Sequence, residues 1–507
     1  MRIHWHRRDL RVADNVALAE AARTEGEGET EDGGVVPVFV FDPAVLDHGS
    51  PPRVRFMLDA LGSLRADYRE RGGDLLLERG DPREVLPLVA DEWDAEAVHW
   101  NRDYSGLARR RDAAVRRALD DAGVRREASH GELLHEPGSI TTNQGEHYSV
   151  YTYFWKKWRD RPKDDPRNPP AADALATEAG ESDPLPTLSE LGFEEPEADV
   201  EPAGTDRARE RLVEFCGTDP DLGASTGEAG VPSSESGAGE PTTDDERPPV
   251  YRYADRRDYP ADRCTSRLSA HLTWGTVGVR EAYAHAAAAT AAARDEDERE
   301  SAEEFESQLA WREFYYHVLA ANPEVVTENF RSYENPIEWR DDPEALQAWK
   351  DGETGYPIVD AGMRQLRREA FVHNRVRMIV ASFLTKDLLI DWREGYDWFR
   401  RKLVDHDTAN DNGGWQWAAS TGTDAQPYFR IFNPMTQGEQ YDPDAEYVRE
   451  YVPELRDATP DQIHGWHELP PEARRNVAPD YPAPIVDHSE RREAALAMFE
   501  AARGEDD

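Results

Sequence analysis

The sequence predicts an α/β fold: a doubly wound parallel-sheet domain at the amino terminus, followed by a larger all-α domain. Short apolar strands alternate with amphipathic helical segments over residues 1–122. From residue 267 onward, apolar residues recur at helical spacing. A stretch rich in proline and acidic residues separates the two regions. No apolar run is long enough to span a bilayer, so we expect no membrane partner.

The elements of the first region follow from its pattern. The predicted strands are Ile3–His6, Val35–Phe41, Asp74–Leu77 and Ala97–Trp100. The predicted helices between them are Arg53–Arg71, Pro82–Glu92 and Leu107–Ala122. This alternation favours a parallel sheet. No GxGxxG motif follows the first strand, so a conventional dinucleotide site is not predicted there.

The chain divides by composition into an α/β domain at 1–135, a connector at 136–204 and a helical domain at 205–507. At about 217–248 the sequence is dominated by Gly, Ser, Thr, Pro, Asp and Glu, which predicts a flexible acidic surface insertion. Three segments of the second domain have a helical pattern: Ala282–Ala293, Glu303–Leu319 and Val359–Asp391.

The chain is strongly acidic, with 103 Asp and Glu against 60 Lys and Arg and a net charge of −43. Only six residues are lysine, so arginine carries almost all the positive charge. Since the screening length falls to about 3 Å at 1 M salt, this pattern predicts a surface adapted to high salt. Cys216 and Cys264 match neither a disulfide framework nor a metal-ligand spacing, so we expect a cytoplasmic protein without a metal site.

One segment departs from the acidic trend. Between Ala361 and Lys402, ten basic residues face five acidic ones, and aromatic residues are interleaved. Such a segment is typical of a nucleic-acid surface, although a helix with a solvated basic face fits equally well. High salt weakens phosphate contacts, so a DNA-binding protein of this composition should depend on stacking and on a pocket for an extruded base.

Five strings in the sequence resemble the photolyase/cryptochrome family: WHRRDLRVADNVAL (Trp5–Leu18), TSRLS (Thr265–Ser269), QLAWREFYYH (Gln308–His317), Gly355–Gly395 and Asp405–Arg430. The Gly355–Gly395 string is closest to the class I cyclobutane-dimer photolyases. The resemblance covers nearly the whole chain and fails only in the connector and the insertion.

The resemblance implies an FAD cofactor folded within the helical domain, with its phosphates held by the TSRLS segment. The residues that match flavin-pocket positions are Tyr253, Thr265, Ser266, Arg267, Leu268, Ser269, Trp311, Arg312, Asn374, Arg377, Asp405, His406, Asp407 and Asp411. The residues that match positions contacting the DNA lesion are Arg257, Gln308, Trp311, Asn374, Arg375, Met378 and Trp417. Trp415, Trp392 and Trp339 match the family's electron-relay tryptophans.

Two residues depart from the photolyase pattern. Gln308 stands where cyclobutane-dimer enzymes usually carry Glu; it can donate and accept hydrogen bonds but cannot supply a proton. Asp411 replaces the usual Asn beside flavin N5. Like-charge repulsion from a reduced flavin should raise the pKa of a carboxyl there, so we expect a neutral Asp411 in the reduced enzyme.

The resemblance implies a carbon–carbon lyase in which light drives an electron from reduced FAD to a flipped-out cyclobutane pyrimidine dimer in ultraviolet-damaged DNA. The alternatives are a cryptochrome photoreceptor and a six-four photolyase, although only His373 stands where six-four enzymes carry a histidine pair. We expect a monomer. We also expect an antenna chromophore in the α/β domain near Arg53 and the Asn101–Asp103 turn, with a deazaflavin favoured over a folate.

Overall fold

A computed structural model describes residues 1–23, 34–176, 183–218 and 247–504. The predicted acidic insertion at about 217–248 lies almost entirely outside these described residues, so its flexibility stays a prediction.

The amino-terminal region forms a five-stranded sheet in which all neighbouring strands are parallel. The strands are β1 (Arg2–His6), β2 (Val35–Phe41), β3 (Leu76–Arg79), β4 (Ala97–Asn101) and β5 (Arg125–Ser129), in the order β3-β2-β1-β4-β5. The parallel sheet expected from the sequence is confirmed. The strand β5 was not predicted because it lies at an edge and reads RREAS, with its first three residues exposed.

Helices cover both faces of the sheet: α1 (Val16–Ala22), α2 (Pro43–Leu46), α3 (Pro51–Glu70), α4 (Pro82–Glu92) and α5 (Gly106–Asp121). Alternate residues of β1 point to opposite faces. Ile3 and Trp5 pack with residues of α4 and α5, whereas α1 and α3 form a second core with Phe39 and Phe41 of β2. The two faces therefore have separate apolar cores, as a doubly wound fold requires.

The rest of the chain is helical in the described residues. Its helices are α6 (Tyr151–Asp160), α7 (Thr205–Cys216), α8 (Tyr253–Arg256), α9 (Ser269–Trp274), α10 (Val279–Ala291), α11 (Glu296–Ala321), α12 (Pro343–Asp351), α13 (Pro357–Glu369), α14 (Asn374–Ser382), α15 (Trp392–Lys402), α16 (Thr408–Ala418), α17 (Pro434–Tyr441), α18 (Glu446–Tyr451), α19 (Pro460–His464), α20 (Pro471–Val477) and α21 (His488–Ala502). The predicted α/β and all-α combination is therefore confirmed.

The apolar pattern across Val359–Asp391 spans several elements rather than one helix. The helix α13 ends at Glu369, and the next residue, Ala370, adopts the left-handed conformation at φ 51°. His373 then caps α14, with its Nδ1 accepting the backbone N–H of Arg375 at 3.3 Å. The chain changes direction at this break, and α14 then buries Val376, Ile379 and Val380 in the core.

The loop after β1 docks on the carboxyl end of α9. Arg8 Nε donates to the Thr273 carbonyl at 3.0 Å, and the Leu10 N–H donates to the Trp274 carbonyl at 3.1 Å. Arg11 Nη1 donates to the Gly275 carbonyl at 3.0 Å. The carbonyls at a helix end lack partners within the helix. Here the sheet region supplies those partners, which ties it directly to the helix that follows the TSRLS segment.

Candidate functional site

The turn before α16 brings together acidic residues that the resemblance assigns to FAD. Asp407 caps α16, with its Oδ1 accepting the Asn410 N–H at 2.9 Å. Its Oδ2 accepts Arg8 Nη2 at 3.0 Å and the hydroxyl of Tyr316. Burial by itself would raise the pKa of Asp407, but Arg8 and Arg312 hold that pKa well below its usual value. Asp407 is thus an ionised, buried cap.

Arg377 joins the other two carboxylates of this turn. Its Nη2 donates to Asp405 Oδ2 at 2.7 Å, and its Nη1 lies 3.5 Å from Asp411 Oδ1. The other oxygen of Asp411 is 2.6 Å from His406 Nδ1. Burial opposes the charge of Arg377, yet these carboxylates raise its pKa above the usual value. The neutral Asp411 expected in the reduced enzyme stays a prediction.

Several polar atoms near this turn have no partner within the described residues. Asp405 Oδ1 is buried without a hydrogen bond. The hydroxyls of Thr265 and Ser266 are half-buried, that of Ser269 is exposed, and none bonds to another described group. Arg267 sits among them at φ 49°, a left-handed conformation. These unused donors and acceptors fit a phosphate- and hydroxyl-rich cofactor such as FAD.

Two further residues predicted for the flavin pocket, Tyr253 and Arg312, contact neighbouring elements. Tyr253 is buried in edge-on contact with Phe215 and Phe305, and burial raises its pKa to about 12. Arg312 donates to the Glu132 carbonyl at 3.3 Å. Arg312 therefore connects α11 to the chain that follows β5.

Residues predicted to contact DNA form a continuous polar chain. Gln308 Nε2 donates to Glu304 Oε1 at 2.8 Å, and Arg257 Nη1 pairs with the same oxygen. Arg257 Nε lies 3.9 Å from Asp258 Oδ1, and Asp258 Oδ2 accepts a hydrogen bond from Arg375 Nη2. Glu304 and Asp258 were not predicted, because they lie outside the motifs and gain meaning only from the folded contacts.

The residues predicted to line the lesion site, Trp311, Trp417 and Met378, differ in how closely other side chains pack against them. Trp311 stacks on Tyr151 of α6, with ring centroids 3.6 Å apart and planes 11° apart. Trp417 is half-buried, and its ring centroid lies 6.4 Å from that of Phe432. Met378 is half-buried one turn after the exposed Asn374. The structure thus gives Trp311 a firm backing from a residue that sequence reasoning had placed in the connector.

The three predicted relay tryptophans lie at different depths. Trp415 and Trp392 are buried and Trp339 is half-buried, so of the three only Trp339 is substantially exposed, and the relay stays a prediction. Trp392 Nε1 donates to Asn329 Oδ1 at 3.0 Å. No two of the three rings stack or meet edge to face in the described structure. Trp415 instead contacts Trp349, at a centroid distance of 6.1 Å.

The predicted antenna residues lie close to the α16 turn. Arg8 Nη1 is 3.9 Å from Asp103 Oδ2, so one guanidinium contacts both Asp103 and Asp407. Arg53 donates to the His48 carbonyl at 2.6 Å, and burial followed by repulsion from Arg400 lowers the pKa of Arg53 to about 10.

Beneath the loop after β1, three side chains bring metal-ligating atoms together: His4, His6 and Asp9. The carboxylate of Asp9 already accepts hydrogen bonds from Asn101 Nδ2 at 2.6 Å and from Asn15 Nδ2 at 3.1 Å. This cluster is therefore a hydrogen-bonded network in its own right, and it shapes the loop that carries Arg8. None of the described helices combines the length and apolar character needed to cross a membrane.

Comparisons with known proteins agree with this geometry. The family model described as DNA photolyase matches residues 2–172, and that described as FAD binding domain of DNA photolyase matches residues 305–501. A deoxyribodipyrimidine photo-lyase from Halobacterium salinarum is 60% identical over 510 residues, covering 100% of both chains.

Two solved structures are also similar. A class III photolyase from Agrobacterium tumefaciens has a TM-score of 0.85 at 35% identity, covering 99% of this chain and 98% of that one. An archaeal photolyase from Sulfolobus tokodaii with two FAD molecules has a TM-score of 0.78 at 30% identity, covering 99% of both chains. The chain therefore belongs to the DNA photolyase/cryptochrome family.

Proposed function

We propose that this chain is a deoxyribodipyrimidine photolyase that acts as a cytoplasmic monomer on cyclobutane dimers in ultraviolet-damaged DNA. The observation that carries the proposal is that residues predicted to bind FAD and residues predicted to bind the lesion both lie at α11, where Tyr316 contacts Asp407. The unpaired polar groups around Asp405 and the TSRLS segment suit FAD, and Gln308 and Trp311 project from the neighbouring helix as a polar and a flat apolar contact. When bound in its reduced form, FAD would supply the light-driven electron that splits the dimer.

The protein's own contribution is position and electrostatics. Arg377, fixed by Asp405, supplies a half-buried positive charge, and Asp407 fixes the first turn of α16. Both are ionised and held by hydrogen bonds, so they need little rearrangement when charge moves nearby. The buried indoles of Trp415 and Trp392 offer an oxidisable path outward to Trp339.

On the DNA side, stacking supports the proposal more than charge does. Tyr151 stacks on one face of the Trp311 ring and holds it in place, so the half-buried indole offers a rigid apolar contact for an extruded base. Arg257 and Arg375 are already paired with Glu304 and Asp258, so phosphate contact requires exchange of those partners. Binding that depends more on stacking than on phosphate contacts suits an enzyme that works in high salt, because stacking does not depend on counterion release.

We also propose a second chromophore near Arg53 and Asp103, with a deazaflavin favoured over a folate. Burial opposes the charge of Asp103, but Arg8 and Arg7 lower its pKa, so an ionised carboxylate lines this region. A second FAD is a third candidate, because the structure of the relative from Sulfolobus tokodaii contains two FAD molecules. Extraction of the purified protein followed by mass spectrometry would identify the bound chromophore.

Light-dependent repair of a defined oligonucleotide tests the main proposal. Purified protein in 2–3 M KCl (roughly the regime in which acidic surfaces are screened) is illuminated with duplexes that carry a cyclobutane thymine dimer or a six-four lesion. We expect restoration of the cyclobutane dimer only, and none in the dark. Bound flavin that responds to light without any repair would favour the cryptochrome alternative, and repair of the six-four lesion would reassign the substrate.

The relay is tested separately with matched tryptophan variants. Trp415→Phe should slow light-driven reduction of oxidised flavin by at least about tenfold, because the first oxidisable ring is lost. Chemically reduced Trp415→Phe should still repair dimers. Trp349→Phe is the control, since Trp349 is a buried indole in contact with Trp415 that lies outside the proposed route. Equal loss in both variants would contradict the route.

A further inference from the structure

The side-chain amide of Gln308 has a fixed orientation in the described structure. Its Nε2 donates to Glu304 Oε1 at 2.8 Å. Residues four apart on a helix share one face, so this contact is built into α11 itself. Glu304 in turn is paired with Arg257, which keeps its carboxylate in place beside the amide.

The chemistry of the pair determines which end of the amide turns away from Glu304. An ionised carboxylate only accepts hydrogen bonds, so only the amide nitrogen of Gln308 can approach it. Oε1 of Gln308 accepts no hydrogen bond from any described residue, and its second amide N–H is unused. Gln308 therefore presents a carbonyl acceptor beside an N–H donor.

This free edge belongs to the helix face that also carries Trp311, three residues further along α11. Gln308 and Trp311 are both half-buried, so each retains an accessible portion. Thymine presents an N3–H donor beside carbonyl acceptors, which is the pattern complementary to a free amide edge. A glutamate at position 308 would offer acceptors alone.

We propose that Glu304 is a specificity-determining residue of the lesion site, an inference that rests on the proposed function. By holding the amide nitrogen of Gln308, Glu304 turns its carbonyl and second N–H toward the imide edge of a thymine within the dimer. Without Glu304 the amide can rotate by half a turn, and a rotated amide presents a donor to the N3–H. Selection for the imide edge is then lost.

Equilibrium binding in the dark tests this role. The ligands are duplexes with a thymine dimer, with the same dimer methylated at N3 of both bases, and with undamaged thymines, all at one high salt concentration. The proteins are the flavin-loaded wild type, Glu304→Gln, Glu304→Ala, the double variant Glu304→Gln/Gln308→Glu, and Glu303→Gln. Glu303 precedes Glu304 on α11 and takes no part in the polar chain, so its variant is the matched control.

The wild type and Glu303→Gln should bind the thymine dimer roughly 5- to 150-fold more tightly than its methylated form, the range for a good bidentate contact. In Glu304→Ala this ratio should fall to within about threefold, because the Gln308 amide has lost the acceptor that orients it. Glu304→Gln can turn either its carbonyl or its NH2 group toward Gln308, so its ratio should lie between those of Glu304→Ala and the wild type. The double variant should regain much of the ratio, since a carboxylate at position 308 accepts the N3–H in either rotation. A general loss of structure cannot produce this recovery.

Two kinds of failure are separable. If the wild type binds dimer and undamaged duplexes equally and illumination leaves the dimer intact, the proposed function itself is wrong. If the wild type repairs the dimer but ignores methylation, or if both Glu304 variants keep the full ratio, only the role of Glu304 is overturned.

Discussion

At the scale of single residues, Lys386 is the least expected feature of the molecule. Its side chain is fully buried, its Nζ donates to Ser420 Oγ at 2.8 Å, and it lies 3.7 Å from the ring centroid of Phe499. No carboxylate among the described residues pairs with it. Burial therefore lowers the pKa of Lys386 well below its usual value. The folded protein favours a neutral amine at this position.

Replacing this lysine should stabilise the protein in a pH-dependent way. The unfolded chain holds the proton up to about pH 10.4, so wild-type stability rises with pH toward that value. Lys386→Met lacks this dependence, and we expect it to be more stable at pH 7 by about 1–4 kcal/mol, with a gap that narrows by pH 10. Urea unfolding at both pH values measures the gap. Lys350→Met, at a half-buried lysine, should show no such trend, and a gap that widens with pH would contradict the argument.

Residues of the site were predictable where they lie in long motifs and not elsewhere. Asp405, Arg377 and Asp407 follow from the motifs, and the structure places both aspartates in one turn, with Arg377 of α14 bonded to Asp405. Glu304 and Asp258 did not follow, because a lone acid in an acidic chain carries no signal until its partners are known. The basic residues between 361 and 402 did not form one surface either, since Lys386 is buried while Arg375 and Arg377 are held by acids.

At the scale of elements, the packing of α15 on α16 depends on a glycine. A Cβ placed on Gly395 would collide with the ring of Trp415 and with Leu384. Helices approach closely where one of them lacks a side chain. Because Gly395 has no side chain, α15 leaves the space that the Trp415 ring occupies.

Gly395→Ala should therefore destabilise the protein, although alanine is the better helix former. We expect a loss of about 1–3 kcal/mol from overpacking and slower light-driven flavin reduction, because Trp415 must move. Gly62→Ala in α3 is the control: its Cβ would meet only Leu185, at 3.6 Å, so it should gain up to about 1 kcal/mol from helix propensity. The unfolding temperatures of the two variants test this prediction. If Gly395→Ala and Gly62→Ala stabilised the protein equally, the packing argument would be wrong.

Elements with strong periodicity were predictable, and their interruptions were not. The strand β2 and helix α4 agree with the sequence pattern to the residue. The break between α13 and α14 was missed because Ala370, an ordinary helix former, takes a left-handed conformation. Tertiary packing against Phe56 and Val404 overrides local propensity there.

At the scale of the whole molecule, Arg8 joins the sheet region to the helical region. Its guanidinium contacts Thr273, Tyr316, Asp407 and Asp103 at once. Removing one partner of a buried ion pair leaves an uncompensated charge. A single side chain therefore contributes both to the fold and to the turn before α16, where we propose that flavin binds.

We expect Arg8→Gln to lose about 3–5 kcal/mol of stability and to retain less flavin through gel filtration, measured by its visible absorbance. The low pKa of Asp407 contributes stability above pH 4 that disappears as pH falls through the folded pKa, and Arg8→Gln should lose much of this contribution. Arg83→Gln removes an exposed pair with Asp81 and should unfold at the wild-type temperature. Unchanged flavin retention in Arg8→Gln would rule out the link.

The net charge of −43 makes a prediction about salt. Dilution from about 3 M to 0.1 M KCl lengthens the screening distance from below 3 Å to about 10 Å, so acidic groups repel one another across the surface. The unfolding temperature should fall steadily over this range. Sucrose, which does not screen charge, should not restore it at low salt; full recovery in sucrose would argue against electrostatic repulsion.

The stacked pair of Tyr151 and Trp311 has a consequence for building hybrid enzymes. Tyr151 is also bound through its N–H to Asp424 and through its hydroxyl to Ser307, so three distant parts of the chain meet beneath one indole. A chimera that exchanges the sheet region with that of a relative should keep its junction upstream of α6. A junction placed after α6 would replace Tyr151 together with the sheet region, and Trp311 would then stack on a residue from the relative.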